Sequence, residues 1–295
     1  MHPIELEFSR VMPGAVELTF LSNYLKQEDK LFVNPISGFV TSQRSMSAED
    51  VVKYWSEFIF PSKSEESYTA HNPFAQARLL YVAQTIASFL KINGKNYHWC
   101  DFATGEGVLL SILRKFYPFL SIYGTEHSET LVYELNNLGF EVITKTLGVD
   151  QAPAIQPGFD ISTLTWTLAN TIDPLACVKD VVASTKIGGY VCVAESSRIL
   201  VPFKKSLNDY FSKSSPADLH PSNFSANTLR CLMQLSGLEI VFTNRYFDSD
   251  VLLVIGKKVD RIVEPTYFDN QTNVVNFMKE WAHASELFEK FRVKE

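Results

Sequence analysis

Several protein classes leave marks that this sequence does not carry. No apolar run reaches the roughly 18 residues of a spanning helix, so no membrane span is expected. Residues 1–14 show no basic stretch followed by an apolar one, and no secretory leader is expected. Cysteine is scarce, with four in 295 residues. Cys100, Cys177, Cys192 and Cys231 are scattered and form no CxxC pair. That pattern supports neither a disulfide framework nor a zinc site, and a reducing, cytoplasmic setting fits it. No metal site is expected. Basic residues are outnumbered, 27 Lys and Arg against 33 Asp and Glu, for a net charge of −6. A general positive surface for a nucleic-acid backbone is therefore missing, and nucleic acid is not an expected partner. Internal repeats and low-complexity segments are also lacking.

What remains is an ordinary globular composition, 46% hydrophobic and 20% charged. The 22 Phe and 12 Tyr imply a large packed core. The length suits one large domain, or one domain with an appendage. We divide the chain into an extension over residues 1–90, a domain over 91–258 and a tail over 259–295. In the extension, Leu31–Val33 is a strand candidate before the turn Asn34-Pro35. Ser47–Asp50 caps a short helix bearing Val51, Val52, Trp55, Phe58 and Ile59. Helical spacing resumes at Pro73 and runs to about Lys91.

The middle of the chain alternates short apolar runs with helical patterns. Strands are expected at residues 97–102, 121–125, 141–144, 159–164, 190–194, 238–243 and 251–255. Helices are expected at 108–116, 129–137, 175–185 and 227–236. Such alternation predicts right-handed crossovers and a mainly parallel sheet. Residues 244–250 are too few for a crossover helix, so the last two strands should form an antiparallel hairpin at one edge. In the tail, residues 273–291 read as an amphipathic helix with Val275, Phe277, Trp281, Leu287, Phe288 and Phe291 as its apolar face. That face packs on the domain or on a second subunit, which leaves a homodimer open.

The segment Asp101-Phe102-Ala103-Thr104-Gly105-Glu106-Gly107 sits where the first middle strand turns into a helix. Small residues let backbone approach a ligand, and the helix start offers free N–H groups. Glu126 follows 19 residues after Gly107 and can accept hydrogen bonds from a ribose diol. A dinucleotide fingerprint, G-x-G-x-x-G, fails here, because it would need glycine at Leu110 or Val108. The segment instead resembles the D/E-x-G-x-G-x-G loop of class I S-adenosylmethionine-dependent methyltransferases, with Ala103 in place of the first glycine. The resemblance continues in order through Phe159-Asp160-Ile161-Ser162, the stretch Thr165–Asn170, Asp173-Pro174, Gly188-Gly189 and His220-Pro221-Ser222-Asn223-Phe224-Ser225. It covers about residues 97–257.

That resemblance implies a Rossmann-like, doubly wound α/β fold with seven strands and an antiparallel last strand. A small N-terminal α+β extension and a C-terminal helical tail would complete it. It also implies S-adenosylmethionine as cofactor. Asp101, Ala103, Thr104, Gly105 and Gly107 would surround the methionine part, Glu126 with His127 would meet the ribose, and Asp150 would meet the adenine. Thr165, Trp166, Thr167 and Tyr68 would line the donor pocket. The His220–Ser225 segment resembles the branch acting on sugars and nucleotide sugars, including lipopolysaccharide biosynthesis. A small polar acceptor, preferably methylated on oxygen, is the expected substrate. His220 and His71 are the candidate general bases, since histidine titrates near neutral pH. Arg198 would hold a phosphate or carboxylate of the acceptor, and Asn72 is a second acceptor contact. Lys204 and Lys205 are expected to be surface charges paired with neighbours. The alternative is a non-catalytic member of the fold that works as a binding or assembly module.

Overall fold

A computed structural model describes residues 11–25, 29–43, 50, 53, 73–148, 158–171, 173–196, 198–211 and 221–292. The expected helix near residues 47–59 lies outside them, apart from Asp50 and Lys53, which are helical. The main sheet has seven strands. They are β4 (His98–Phe102), β5 (Ser121–Glu126), β6 (Glu141–Thr144), β7 (Phe159–Thr165), β8 (Thr185–Ser196), β10 (Leu238–Thr243) and β11 (Val251–Lys258). Their spatial order is β10-β11-β8-β7-β4-β5-β6. Pairings from β8 through β6 are parallel, while β11 is antiparallel to both neighbours. The last strand therefore inserts between β8 and the edge strand β10.

Both faces of this sheet are covered, so its strands are apolar on both sides. Side chains alternate with the pleat. Cys100, Phe102, Leu164, Val191, Val193, Leu252 and Val254 point to one face. They meet α4 (Pro174–Ser184) and, after the one-turn α5 (Leu207–Tyr210) in sequence, α6 (Ala226–Leu235) there. Trp99, Ile161, Cys192, Ala194, Leu253 and Ile255 point to the other. That face is covered by α1 (Pro73–Leu90) and α2 (Val108–Phe116). α3 (Glu129–Asn137) packs Val132 and Leu135 against Val142 at the β6 end.

β8 is longer than the sequence pattern suggests. It starts at Thr185, directly after α4, and runs through Gly188-Gly189. Its pairing with β7 shifts register between Phe159 and Ile161. At Gly189 a Cβ would lie within 3.0 Å of Thr185 Cγ2, Lys186 O and Asp160 O, so glycine is what lets the strand pass.

The N-terminal residues form a second, four-stranded sheet. β1 (Val16–Glu17), β2 (Leu31–Val33) and β3 (Val40–Ser42) pair antiparallel, and β3 takes β9 (Ser222–Asn223) as its neighbour. That fourth strand comes from the segment after β8. The tail helix α7 (Gln271–Arg292) covers this sheet. Asp269, just before it, cross-links three parts of the chain. Its backbone N–H donates to Ser37 O at 3.0 Å, and its carboxylate accepts from Asn227 Nδ2 at 2.8 Å and from the Ser225 hydroxyl. Ser225 is also the N-cap of α6, in a reciprocal capping box with Thr228.

The buried face of α7 differs from the expected one. Val274, Met278, Trp281, Ala282 and Ser285 are buried, whereas Leu287, Phe288 and Phe291 are exposed. Small residues let the helix come close. Tyr24 Oη donates to Ala282 O at 3.1 Å, and Ser285 Oγ accepts from Leu207 N at 2.9 Å. Among the described residues, no helix is long and apolar enough to cross a membrane. The two faces of α7 should respond differently to truncation. Met278→Ala should cost about 2–5 kcal/mol in denaturant unfolding, and Phe291→Ala no more than about 0.5 kcal/mol.

Candidate active site

The loop after β4 is shaped by left-handed backbone. Ala103 has φ +52°, Gly105 +56° and Gly107 +71°. Gly107 caps α2 without a side-chain bond, so the helix start keeps its free N–H groups. The loop rests on the end of β5. Thr104 N donates to Thr125 O at 2.8 Å, and Ala103 N donates to Thr125 Oγ1 at 3.2 Å. An alanine in this conformation costs roughly 1–2 kcal/mol, so Ala103 is held there by these contacts. A Cβ on Gly107 would strike Leu135 Cδ2 at 2.5 Å. A Cβ on Gly105 would meet nothing within 4 Å, so the backbone there faces open space.

Glu126 ends β5 and is buried. Its Oε2 accepts from Gly105 N at 2.9 Å. Its Oε1 accepts from His127 N at 2.9 Å and Ser128 N at 3.1 Å, and lies 2.7 Å from His127 Nδ1. Burial pushes its pKa up, but the bonds from His127, Ser128 and Gly105 outweigh that and hold it below the usual range. Asp101, on β4, is also buried. Thr163 Oγ1 on β7 donates to its Oδ1 at 2.7 Å while accepting from Trp99 Nε1 at 3.1 Å. Burial lifts Asp101 to about 7, against the pull of the Thr163 and Thr104 hydroxyls and with a further push from Glu126.

The loop after β7 completes this edge. Trp166 has φ +51°, and its backbone N–H donates to Ala194 O at 2.8 Å. Thr167 Oγ1 donates to Thr165 O at 3.1 Å. A short 3-10 turn, Leu168–Asn170, follows. Glu195, buried near the end of β8, takes the Leu168 N–H at 2.7 Å. Burial raises it to about 7, although the backbone N–H groups of Leu168, Ala169 and Thr167 and the charge of Arg198 pull it down. Asp173 then caps α4 by accepting from Ala176 N at 3.0 Å, with Pro174 next.

Asp101, Ala103, Thr104, Gly105, Gly107, Glu126 and His127 are thus gathered at the carboxyl ends of β4 and β5. Thr165, Trp166 and Thr167 stand at the end of β7, the other neighbour of β4. Arg198 follows β8, half-buried, with its guanidinium 4.7 Å from the Tyr210 ring centroid. Tyr68, His71, Asn72, Asp150 and His220 lie outside the described residues. Among the described residues no cluster of His, Cys, Asp and Glu has the arrangement of a metal site. Sequence reasoning did not single out Glu195 as the anchor of the β7 loop. Its signal was an acid placed directly after the apolar run Val191–Ala194.

A methyltransferase-domain family profile matches residues 74–242, more than half of the chain. The chain belongs to the methyltransferase-domain family. Solved structures with this fold include a SAM-dependent methyltransferase from Thermotoga maritima. It is 18% identical, with TM-score 0.50, over 72% of this chain and 99% of that one. A chain from the Haloferax volcanii complex of the Trm112 methyltransferase activator with a methyltransferase is 13% identical. Its TM-score is 0.50, over 73% of this chain and 100% of that one. No curated protein matches. This methyltransferase is a SAM-dependent enzyme, and its carboxyl-edge residues fit the donor. The open side of Gly105 leaves room where a side chain would intrude, and α2 presents its free N–H groups beside it.

The two loop glycines separate packing from access. Gly107→Ala should lower the melting temperature more than Gly105→Ala, because it adds a clash with Leu135 to the strain they share. Gly105→Ala should abolish donor binding while the protein stays folded, read by calorimetric titration. Asp101 predicts a pH effect. Its native pKa of about 7 lies above the ordinary aspartate value of 3.8, so the folded state binds the extra proton between these values. Its contribution is fully present below about pH 4 and is lost as pH rises to about 7. Asp101→Asn should therefore gain stability relative to wild type as pH rises from 5 to 8, by at most about 1.4 kcal/mol per pH unit.

Proposed function

We propose that this methyltransferase transfers the methyl group of S-adenosylmethionine to a hydroxyl of a small polar acceptor. A sugar or nucleotide sugar, in polysaccharide or lipopolysaccharide biosynthesis, is the preferred class. The observation that carries the reading is the convergence of the glycine loop, Glu126 and the Trp166 loop at the ends of three adjacent strands. The cofactor supplies an activated methyl on a sulfonium. The protein supplies orientation and a place for the acceptor's proton.

Each residue has a role in that division. Asp101, Ala103, Thr104, Gly105 and Gly107 hold the methionine part. Glu126 has committed most of its acceptor capacity to the loop, but Oε2 takes a single bond and keeps room for a ribose hydroxyl. His127 buttresses it. Asp150 and Tyr68 would meet the adenine side. Thr165, Trp166 and Thr167 wall the pocket between donor and acceptor. His220 is the proposed base that takes the hydroxyl proton, with His71 as the alternative and Asn72 as an acceptor contact. Support for His220 comes from its described neighbours, because β9 at Ser222–Asn223 lies beside the Leu168–Asn170 turn. The net charge of −6 favours a small acceptor over a nucleic acid. A cytoplasmic setting is part of the reading, supported by four cysteines that are all buried free thiols.

Titration with S-adenosylmethionine tests the donor half. Wild type should bind in the micromolar range. Glu126→Gln turns an accepting oxygen into a donor against N–H groups and should weaken binding tenfold or more, about 1.4 kcal/mol. Absence of binding to wild type would overturn the reading. For the acceptor half, His220→Ala should leave donor affinity unchanged.

A further inference from the structure

A second concavity opens on the same edge of the sheet, past the end of β8, with a volume of about 220 Å³. Its described lining carries four cations, Arg78, Arg198, Lys204 and Lys205, and one carboxylate, Asp250. In a chain of net charge −6, that local excess runs against the whole. Lys204 is committed, since its Nζ lies 3.2 Å from Asp250 Oδ1 and also donates to Ser249 O. Among the described residues, no carboxylate lies within 4.0 Å of the charged nitrogens of Arg78, Arg198 or Lys205.

These three cations are held by aromatic faces. Arg78 lies 5.1 Å from the Trp166 ring centroid, and Arg198 and Lys205 lie 4.7 and 5.8 Å from that of Tyr210. The platform is itself fixed. Tyr210 Oη donates to Asn223 Oδ1 at 2.5 Å, and Trp281 Nε1 donates to Lys205 O at 2.9 Å. Charges set in place before a ligand arrives lose little freedom when it binds. Burial and the neighbouring Arg198 push the Lys205 pKa down, against the pull of Asp209 and Asp250. An anion between Arg198 and Lys205 would relieve that repulsion.

Size and place narrow the ligand. Pockets that hold a whole small ligand measure roughly 300–1,000 Å³, so this one suits one end of a molecule. Three cations with no carboxylate within 4.0 Å among the described residues match a phosphate ester or diphosphate better than a single carboxylate. The pocket stands at the end of β8 and the start of β11, where Ser196 pairs with Val251. β8 is two strands from β4, roughly 10 Å at the usual strand spacing. Trp166 carries Arg78 on its ring and belongs to the loop between the two places, so one wall serves both.

We propose that this pocket is the anion subsite for the acceptor: Arg78, Arg198 and Lys205 clasp the phosphoryl group of a phosphorylated small molecule, whose reacting hydroxyl points past Trp166 toward the glycine loop. The assignment rests on the methyl-transfer reading above, and the test separates the two. Inorganic pyrophosphate is the probe, titrated into the full-length protein alongside S-adenosylmethionine. Wild type should bind pyrophosphate, and Arg198→Gln and Lys205→Gln should each weaken that binding tenfold or more. Both variants should keep donor affinity within twofold. Lys186→Gln, which removes a cation paired with Asp160 elsewhere on the surface, should leave pyrophosphate affinity unchanged. If Arg198→Gln melts early, Lys205→Gln carries the test. Failure of wild type to bind pyrophosphate, or equal affinity in the variants and Lys186→Gln, would overturn the subsite. Pyrophosphate binding with no donor binding would overturn the methyl-transfer reading and the acceptor role built on it.

Discussion

Four N–H groups converge on the carboxylate of Glu126, from Gly105, from Ser128 and from both the backbone and the ring of His127. A buried charge is costly unless its hydrogen bonds are made, and here they are. Through them one side chain fixes the glycine loop, the turn out of β5 and the start of α3, where Ser128 caps the helix. The open backbone at Gly105 and the free N–H groups of α2 exist because that loop is tied down from below. Even the strained Ala103 is carried by the same rim, through Thr125 beside Glu126.

The acids along this edge divide by environment. Glu126 receives enough donors to stay ionised, whereas burial outweighs the donors that Asp101 and Glu195 receive and lifts both to about 7. Asp101 bridges β4 to β7 through Thr163, and Glu195 bridges β8 to the turn after β7. The donor side and the pocket beyond β8 are therefore linked by hydrogen bonds that run across the sheet. Charge on the two sides is opposite in kind, acid-rich around the glycine loop and cation-rich around Arg198.

Legibility in the sequence followed the range of the interactions. α2, α3 and β6 match their expected bounds, because apolar spacing and local caps such as Ser128 decide them within a few residues. The glycine loop and Glu126 were legible for the same reason, as a short motif at a fixed spacing. β9 was not, since two residues become a strand only by pairing with distant β3. The face of α7 misled because bulk suggested burial at Phe288 and Phe291, while close approach selected Ala282 and Ser285. Lys205 read as an ordinary surface charge. Its setting depends on Tyr210 and Trp281, which reach it from separate elements.

The borrowing of β9 by the N-terminal sheet sets an order on biosynthesis. Residues 16–42 leave the ribosome early, yet their sheet lacks its fourth strand until Ser222–Asn223 emerges, and its cover until α7 follows. The Asp269 cross-link to Ser37 and Ser225 becomes possible between these two, since Asp269 precedes α7. Leu31, Val33 and Val40 thus depend for their native cover on residues far later in the chain. The N-terminal sheet can therefore be complete only after β8 and the segment that follows it have been made.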